Sequence, residues 1–289
     1  MAKKKVLFII NPISGGKNKD KIPALIENTL DKNQFDITIT FTKAPGHARE
    51  LAAQPGFDYY IAVGGDGTLN EVASQLINTE ACMGILPMGS GNGLARHMGI
   101  NMNIEKAILQ INTAKIVKID TCTVNGKPFI NMAGVGFDAH IGKLFAESTG
   151  RGFKTYVVQT LTEFKNYQSQ KYKINYGGKE IVSDAFLLSF ANSSQYGNNA
   201  YIAPDADIKD GMLDICLMKP FKVMDVLSIG FRLFNKTIKQ SKYLQTIQAK
   251  EFTVTREQEG VAHLDGEPMI FGKQLDIKVL SASLKLLVP

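Results

Sequence analysis

The sequence predicts a two-domain α/β protein. Residues 1–120 read as an α/β domain with a parallel sheet, residues 121–289 as a β-rich, antiparallel domain, with a cleft between the two. Three observations carry this reading. Buried-strand runs alternate with helical periodicity through the first third of the chain, as in a parallel sheet covered on both faces. Near Ile116 the pattern changes to strand-like segments joined by hairpin dipeptides. The length, 289 residues, suits two domains of about 100–200 residues each, and no Pro/Ser-rich linker holds them apart.

The elements follow in order. Val6–Ile10 is a continuous apolar run, hence a buried strand. In 21–30, Ile22, Leu25, Ile26 and Leu30 have helical spacing. DITITFT (36–42) is β-branched and alternating, a strand; 46–53 reads as a short helix; 59–63 is a second buried strand. Leu69, Val72, Ala73, Leu76 and Ile77 share one helical face. A short strand at 84–86 precedes Pro87, and a further helix is expected near Leu94. Beyond Ile116, Asn125-Gly126 separates IDTCTV from PFINMA, and Gly177-Gly178 separates KYKINY from KEIVSDAFLLSFA; both dipeptides are hairpin signals. A strand is expected over 212–218 and several more from Phe252 onward.

Composition bounds the function. Hydrophobic residues at 44% and charged residues at 21% are globular values and exclude a disordered or fibrous chain. The formal charge of +6 suits an anionic ligand or surface, but no recognised nucleic-acid motif accompanies it. Cys82, Cys122 and Cys216 lie far apart and form no C-x-x-C pair. Buried reduced thiols in a cytoplasmic protein are the expectation. The apolar run after the basic start is too short for a signal peptide, and no apolar stretch approaches the roughly 20 residues of a membrane span. A lipid-directed activity would therefore require a visit to the inner face of the membrane.

Glycine loops mark the chemistry. Gly64-Gly65-Asp66-Gly67-Thr68 lies between a strand and a helix, where main-chain N–H groups and the helix N-terminus favour phosphate. Asp66 beside such a cradle calls for an intervening cation, which a Mg²⁺–nucleotide supplies. N-P-I-S-G-G (11–16) and G-S-G-N-G (89–93) follow the first and fourth strands in the same way. Three such loops at the carboxyl ends of parallel strands converge where open α/β sheets bind ligands. No Gly-Lys pair has Walker A context, Gly134-Val135-Gly136 lacks a third glycine, H-E-x-x-H is missing, and Ser90 lacks the glycines of a nucleophile elbow. The four histidines show no metal-ligand spacing and read as structural. Asp205, Asp207, Asp210 and Asp214 in APDADIKDGMLD read either as a solvated turn or as hard-cation ligands. Leu264-Asp265-Gly266-Glu267-Pro268 alone reads as a hairpin turn.

Together these segments resemble the diacylglycerol kinase catalytic family, in its soluble bacterial lipid-kinase branch related to sphingosine kinases and with an NAD kinase-like fold. The matching residues are NPISGG (11–16), GGDGTLNEV (64–72), PMGSGNGLA (87–95), PDADIKDGMLD (204–214) and DGE (265–267), in family order. The resemblance implies an ATP-dependent lipid kinase that phosphorylates a lipid hydroxyl, on a diacylglycerol-like, sphingoid or other lipid alcohol. Its active site would lie in the cleft. ATP would lie against Asn11, Pro12, Ile13, Ser14, Gly15, Thr42, Gly65, Asp66, Gly67, Thr68, Leu69, Asn70, Glu71 and Ser90. A structural Mg²⁺ would be held by Asp207, Asp210 and the main chain of Met212. Glu267 would accept the hydroxyl proton, with Asp66 holding the nucleotide's cation. Gly93 stands where many bacterial relatives carry Asp, nearer the sphingosine-kinase style.

Two other readings share these residues. An NAD kinase would use Asp66 as its base and leave Glu267 without a role; a non-catalytic lipid-binding protein would need neither. The partners expected are ATP, a membrane-derived lipid and an anionic membrane surface, with no nucleic acid; a homodimer is compatible with the sequence. The segment 219–242 is a candidate docking element: Val223, Val226, Leu227, Phe231 and Phe234 share a helical face, with Lys222, Arg232, Lys236, Lys239 and Lys242 around it. The competing expectation is that this face packs on its own domain.

Overall fold

In a computed structural model the chain is described over residues 2–16, 18–147, 162–164 and 166–289. It divides into two compact units, residues 1–119 with 282–289, and residues 120–281.

The first unit alternates as expected: β1 (Lys4–Ile10), α1 (Ile22–Thr29), β2 (Phe35–Phe41), α2 (His47–Ala52), β3 (Tyr59–Gly64), α3 (Asp66–Leu76), β4 (Cys82–Pro87), α4 (Gly93–His97) and α5 (Ile104–Ile111). The strands lie in the order β2-β1-β3-β4, all parallel. Val6 to Ile10 and Ile61 to Val63 are buried throughout, because helices cover both faces of such a sheet and leave no polar side to alternate with. Helix α5 was not anticipated; Asn103 caps it by accepting the Lys106 N–H at 3.1 Å. Because the carboxyl ends of β1, β3 and β4 are neighbours, the three glycine loops that follow them are neighbours too.

The second unit is a two-sheet sandwich. Its elements are β5 (Lys115–Val124, entering from the first unit), β6 (Lys127–Phe129), β7 (Met132–Gly136), α6 (Phe137–Glu147), β8 (Gln170–Tyr176), β9 (Lys179–Ala185), β10 (Leu187–Ala191), β11 (Leu213–Met218), α7 (Val226–Phe234), β12 (Leu244–Ala249), β13 (Glu251–Arg256), β14 (Gly260–Leu264), β15 (Glu267–Phe271) and β16 (Gln274–Val288). One sheet runs β12-β11-β10-β7-β14-β15; β16, β13, β8 and β9 pair in that order in the other. Period-2 alternation assigns the faces. Leu188, Phe190, Ile215 and Leu217 meet Tyr172, Val254 and Ile277 between the sheets. Leu187, Ala191, Cys216 and Met218 face outward and are covered by Phe137 and Ile141 of α6 and Ile229 of α7. The three cysteines are buried free thiols.

Three dipeptides close hairpins with positive φ at both positions: Asn125-Gly126 (48°, 79°), Gly177-Gly178 (51°, 74°) and Asp265-Gly266 (50°, 87°). That geometry matches the strand twist. Elsewhere the structure departs from the sequence reading. PFINMA, expected as one strand, is broken after Phe129, because the main-chain N–H groups of Ile130, Asn131 and Met132 turn to the Asp265 carboxylate. KEIVSDAFLLSFA breaks at Phe186: β9 pairs with β8, whereas β10 pairs with β7 and β11 in the other sheet. In 219–242 only Val226–Phe234 is α-helical; Asn235 caps it and Lys236 follows at φ 59°. Strand β12 was not anticipated. The sequence placed all of 121–289 in the second domain, but 282–289 group with the first unit, where Lys285 and Leu286 pair in parallel with Cys82 and Met83.

Candidate active site

In the first unit the loops after β1, β3 and β4 touch one another. Asn11 Nδ2 donates to Thr68 Oγ1 at 3.0 Å, and Asn11 Oδ1 accepts the Ile13 N–H at 3.1 Å. Gly15, at φ 61°, lies so close to the third loop that a Cβ would sit 2.1 Å from the Met88 carbonyl oxygen. A Cβ on Gly89 would meet the Gly65 Cα at 2.5 Å. Glycine is required at both positions by close approach of main chain to main chain. Asn92, not singled out from the sequence, closes its own loop through Gly89 N–H and C=O, both at 2.9 Å. Its N–H also donates to Asp66 Oδ2 at 3.2 Å. The Asn of G-S-G-N was the available signal.

The expected nucleotide residues therefore separate by what their side chains do. Pro12 and Ser14 present carbonyls to Lys19 Nζ, while Ile13 is 82% exposed. Thr42 follows β2, its N–H donated to Ile10 C=O at 2.8 Å. Gly65, Asp66, Gly67 and Thr68 form the strand-to-helix turn and the first turn of α3, with Asn70 half-buried one turn on. Leu69 points into the core. The Glu71 carboxylate accepts the N–H groups of Gly46 (2.9 Å) and Ala48 (3.1 Å), tying down the start of α2. Ser90 is exposed at the tip of the third loop. The result is a set of closely approaching glycines at a helix N-terminus, which suits phosphate.

In the second unit, Asp207, Asp210 and Met212 share one loop. Asp207 Oδ1 accepts the Lys209 N–H (3.0 Å) and Asp210 Oδ1 the Met212 N–H (2.8 Å). Buried Asp120 accepts the Gly211 N–H at 2.7 Å and pins the loop to β5. Among the described residues no group of three or more His, Cys, Asp or Glu side chains gathers as a metal cage. Two exposed carboxylates and main-chain oxygen are nonetheless a donor set that fits a hydrated Mg²⁺, which keeps several waters. Next along, burial pushes the Asp214 carboxyl up to about 6, with Lys239 opposing and Asp210 adding to the rise.

The D-G-E turn contains two carboxylates with different surroundings. Asp265 is buried and accepts three main-chain N–H groups: Ile130 at 2.9 Å, Asn131 at 2.8 Å and Met132 at 3.0 Å. Glu267 is exposed at the start of β15, in register with Leu264. Behind the turn, buried His263 places Nδ1 3.4 Å from the Gly266 N–H and Nε2 3.3 Å from Asp138 Oδ2. An Nε2–H tautomer satisfies both contacts. Ser189 Oγ also donates to Asp138 Oδ2, at 2.8 Å. Gly134 makes room for this pair, since a Cβ there would lie 2.7 Å from Asp138 Oδ2. Gly134-Val135-Gly136 thus serves packing, and His263 is structural in a specific way: it backs the turn that presents Glu267.

Comparison with known proteins agrees with this fold. Residues 5–124 match the diacylglycerol kinase catalytic domain, and residues 131–288 the YegS C-terminal NAD kinase beta sandwich-like domain. A protein of Enterobacter sp. (strain 638) named "Probable lipid kinase YegS-like" is 30% identical, over 98% of this chain and 95% of its own length. A Yersinia pestis (strain Pestoides F) protein of the same name is 29% identical over 98% and 96%. The crystal structure of a diacylglycerol kinase from Bacillus anthracis str. Sterne superposes with a TM-score of 0.78 at 22% identity, covering 100% of this chain and 98% of that one; it bears on the fold.

Proposed function

The chain belongs to the diacylglycerol kinase catalytic-domain family, and from that premise we propose that it is a lipid kinase, transferring the terminal phosphoryl group of ATP to a lipid hydroxyl. The observation that carries the reading is the meeting of the loops after β1, β3 and β4, with Gly15 against Met88, Gly89 against Gly65 and Asn92 on Asp66. Full-length similarity to two proteins named as lipid kinases supports the substrate class.

In-line phosphoryl transfer asks a protein mainly for positioning and charge neutralisation. Main-chain N–H groups of the three loops meet the phosphates. Asn11 and Asn92 hold the loops in shape. The nucleotide meets the main chain of 65–71 rather than the core side chain of Leu69. Asp66 would face the cation that accompanies the nucleotide, and Asp207, Asp210 and the Met212 main chain would hold a second. Bound Mg²⁺ would supply neutralisation of phosphate charge and order in the acidic loop. Glu267 accepts the lipid hydroxyl proton as that oxygen bonds to the γ-phosphorus and the bond to the ADP oxygen breaks. A positioned base of this kind is worth about 10²–10⁴-fold. Asp265 and the His263–Asp138 pair hold the turn that carries it.

The test is transfer of labelled phosphate from ATP onto diacylglycerol, monoacylglycerol, sphingosine, ceramide, phosphatidylglycerol and undecaprenol, with NAD as control and with Mg²⁺ varied. Labelled phospholipid product that requires Mg²⁺ is expected. Labelled NAD with every lipid silent would replace this reading with nucleotide phosphorylation.

A further inference from the structure

A helix with one apolar face normally buries it on its own domain. Helix α7 buries only Ile229. Val223 and Met224 of the preceding 3₁₀ turn, with Leu227, Phe231 and Phe234, are 58%, 88%, 84%, 67% and 49% exposed. Val223, Leu227, Phe231 and Phe234 step by four, four and three residues, so they form one stripe. Large apolar side chains grouped on an exposed face mark an interaction surface, whereas scattered ones do not.

The charge around that stripe is one-sided. Residues 219–242 contain six basic side chains and one acidic, while the whole chain carries only +6. The one acid, Asp225, is occupied by the Tyr243 hydroxyl at 2.9 Å. Lys236 and Lys242 lie over the rings of Tyr201 (4.6 Å) and Tyr243 (5.0 Å), which places two cations at the edge of the patch. Lys239 pairs with Asp205 at 2.6 Å, offsetting one charge. Apolar groups inside a basic rim complement a surface that is anionic outside and hydrocarbon within. A second copy of this chain fits poorly, because a two-fold contact would set basic rim against basic rim.

We propose that α7 and the turn before it are a membrane-docking foot. Met224, Leu227 and Phe231 insert among the acyl chains of an anionic phospholipid bilayer, and Lys222, Lys236 and Lys242 meet its phosphates. The proposal rests on the lipid-kinase reading for its purpose but not for its test. No helix among the described residues is long and apolar enough to cross a membrane, so this contact is interfacial.

The chain contains no tryptophan, so a single Leu227→Trp substitution gives a clean reporter. Its emission is expected to shift to the blue on addition of phosphatidylcholine vesicles containing phosphatidylglycerol. A Leu109→Trp control, at a residue that is 49% exposed on α5, is expected to stay unchanged. The combined variant Met224→Ser, Leu227→Ser, Phe231→Ser removes only exposed side chains, and its vesicle partitioning should fall by about tenfold or more. Replacing Lys222, Lys236 and Lys242 by Gln should abolish the preference for anionic over neutral vesicles. Phosphorylation of a water-soluble short-chain lipid should change by less than about twofold in both variants, while that of vesicle-embedded lipid falls with binding. No blue shift for Leu227→Trp, or wild-type partitioning by the triple serine variant, overturns the proposal. So does a wild-type dimer that the serine variant splits while vesicle binding persists. Vesicle binding by the wild type with no lipid phosphorylated would leave the foot standing and remove the kinase reading.

Discussion

Asp265 and Glu267 stand two residues apart, and replacing each by its amide should give opposite phenotypes. The Asp265 carboxylate accepts three main-chain N–H groups in a buried setting, at 2.8–3.0 Å. An Asn in the same rotamer can accept the Asn131 and Met132 N–H groups through its oxygen. It must then turn an NH₂ toward the Ile130 N–H, donor against donor. One charge-assisted bond is lost, at about 1.5–3 kcal/mol, and two weaken toward the neutral value of about 1 kcal/mol. The sum is about 2.5–7 kcal/mol of stability, a large share of a typical domain's margin of about 5–15 kcal/mol. Exposed Glu267→Gln should stay within about 0.5 kcal/mol of wild type yet lose about 10²–10⁴-fold in kcat with nucleotide Kd unchanged. The assays are urea unfolding followed by far-UV circular dichroism, and kcat with the best lipid acceptor under conditions where chemistry limits the rate. An Asp265→Asn protein as stable as wild type would refute the structural assignment of that carboxylate. A Glu267→Gln enzyme with wild-type kcat would refute the assignment of the base.

Gly15→Ala should weaken nucleotide binding and lower the stability of the first unit, since the methyl meets the Met88 carbonyl at φ 61°; nucleotide titration and a thermal melt check both. Asp66→Asn should raise the Mg²⁺ and ATP needed for half-maximal rate, because an amide is a poor partner for a hard cation; a pure kcat loss with unchanged Mg²⁺ dependence would instead favour Asp66 as the base. Asp210→Ala should lower activity at limiting Mg²⁺ and recover at high Mg²⁺, read by a Mg²⁺ titration; full activity at low Mg²⁺ would return 204–214 to a solvated turn. The Asp58 carboxyl is held below the usual range by the Lys5 N–H and then by Lys4, so its contribution to stability is present above the unfolded carboxylate pKa near 4 and fades as pH falls through the lower folded value. Unfolding curves of Asp58→Asn should accordingly depend less on pH in the acid range than those of wild type.

Much of this protein is legible in its sequence because the relevant physics is local. A strand buried on both faces is apolar without alternation, and Val6 to Ile10 reads so before any partner is known. Asn125-Gly126 and Gly177-Gly178 announce their turns because both positions need positive φ, which few other pairs supply cheaply. The glycine loops are visible for the same reason, and their order along β1, β3 and β4 places them together once the sheet is parallel. What the tertiary structure alone decided depends on neighbours distant in sequence. D-G-E contains two carboxylates of nearly equal chemistry, and only the N–H groups of Ile130 to Met132, some 134 residues earlier, make one of them a buried anchor. Asp138 and His263 are 125 residues apart, and no spacing rule joins them. Phe186 separates two strands because Ala185 before it pairs in one sheet and Leu187 after it in the other. The periodicity of 219–242 shows that an apolar stripe exists, but burial depends on what else packs there. Ile229 meets the core of the second unit while Leu227 and Phe231 meet none, because hydrophobic pattern encodes the face of a helix and only packing decides which face is covered.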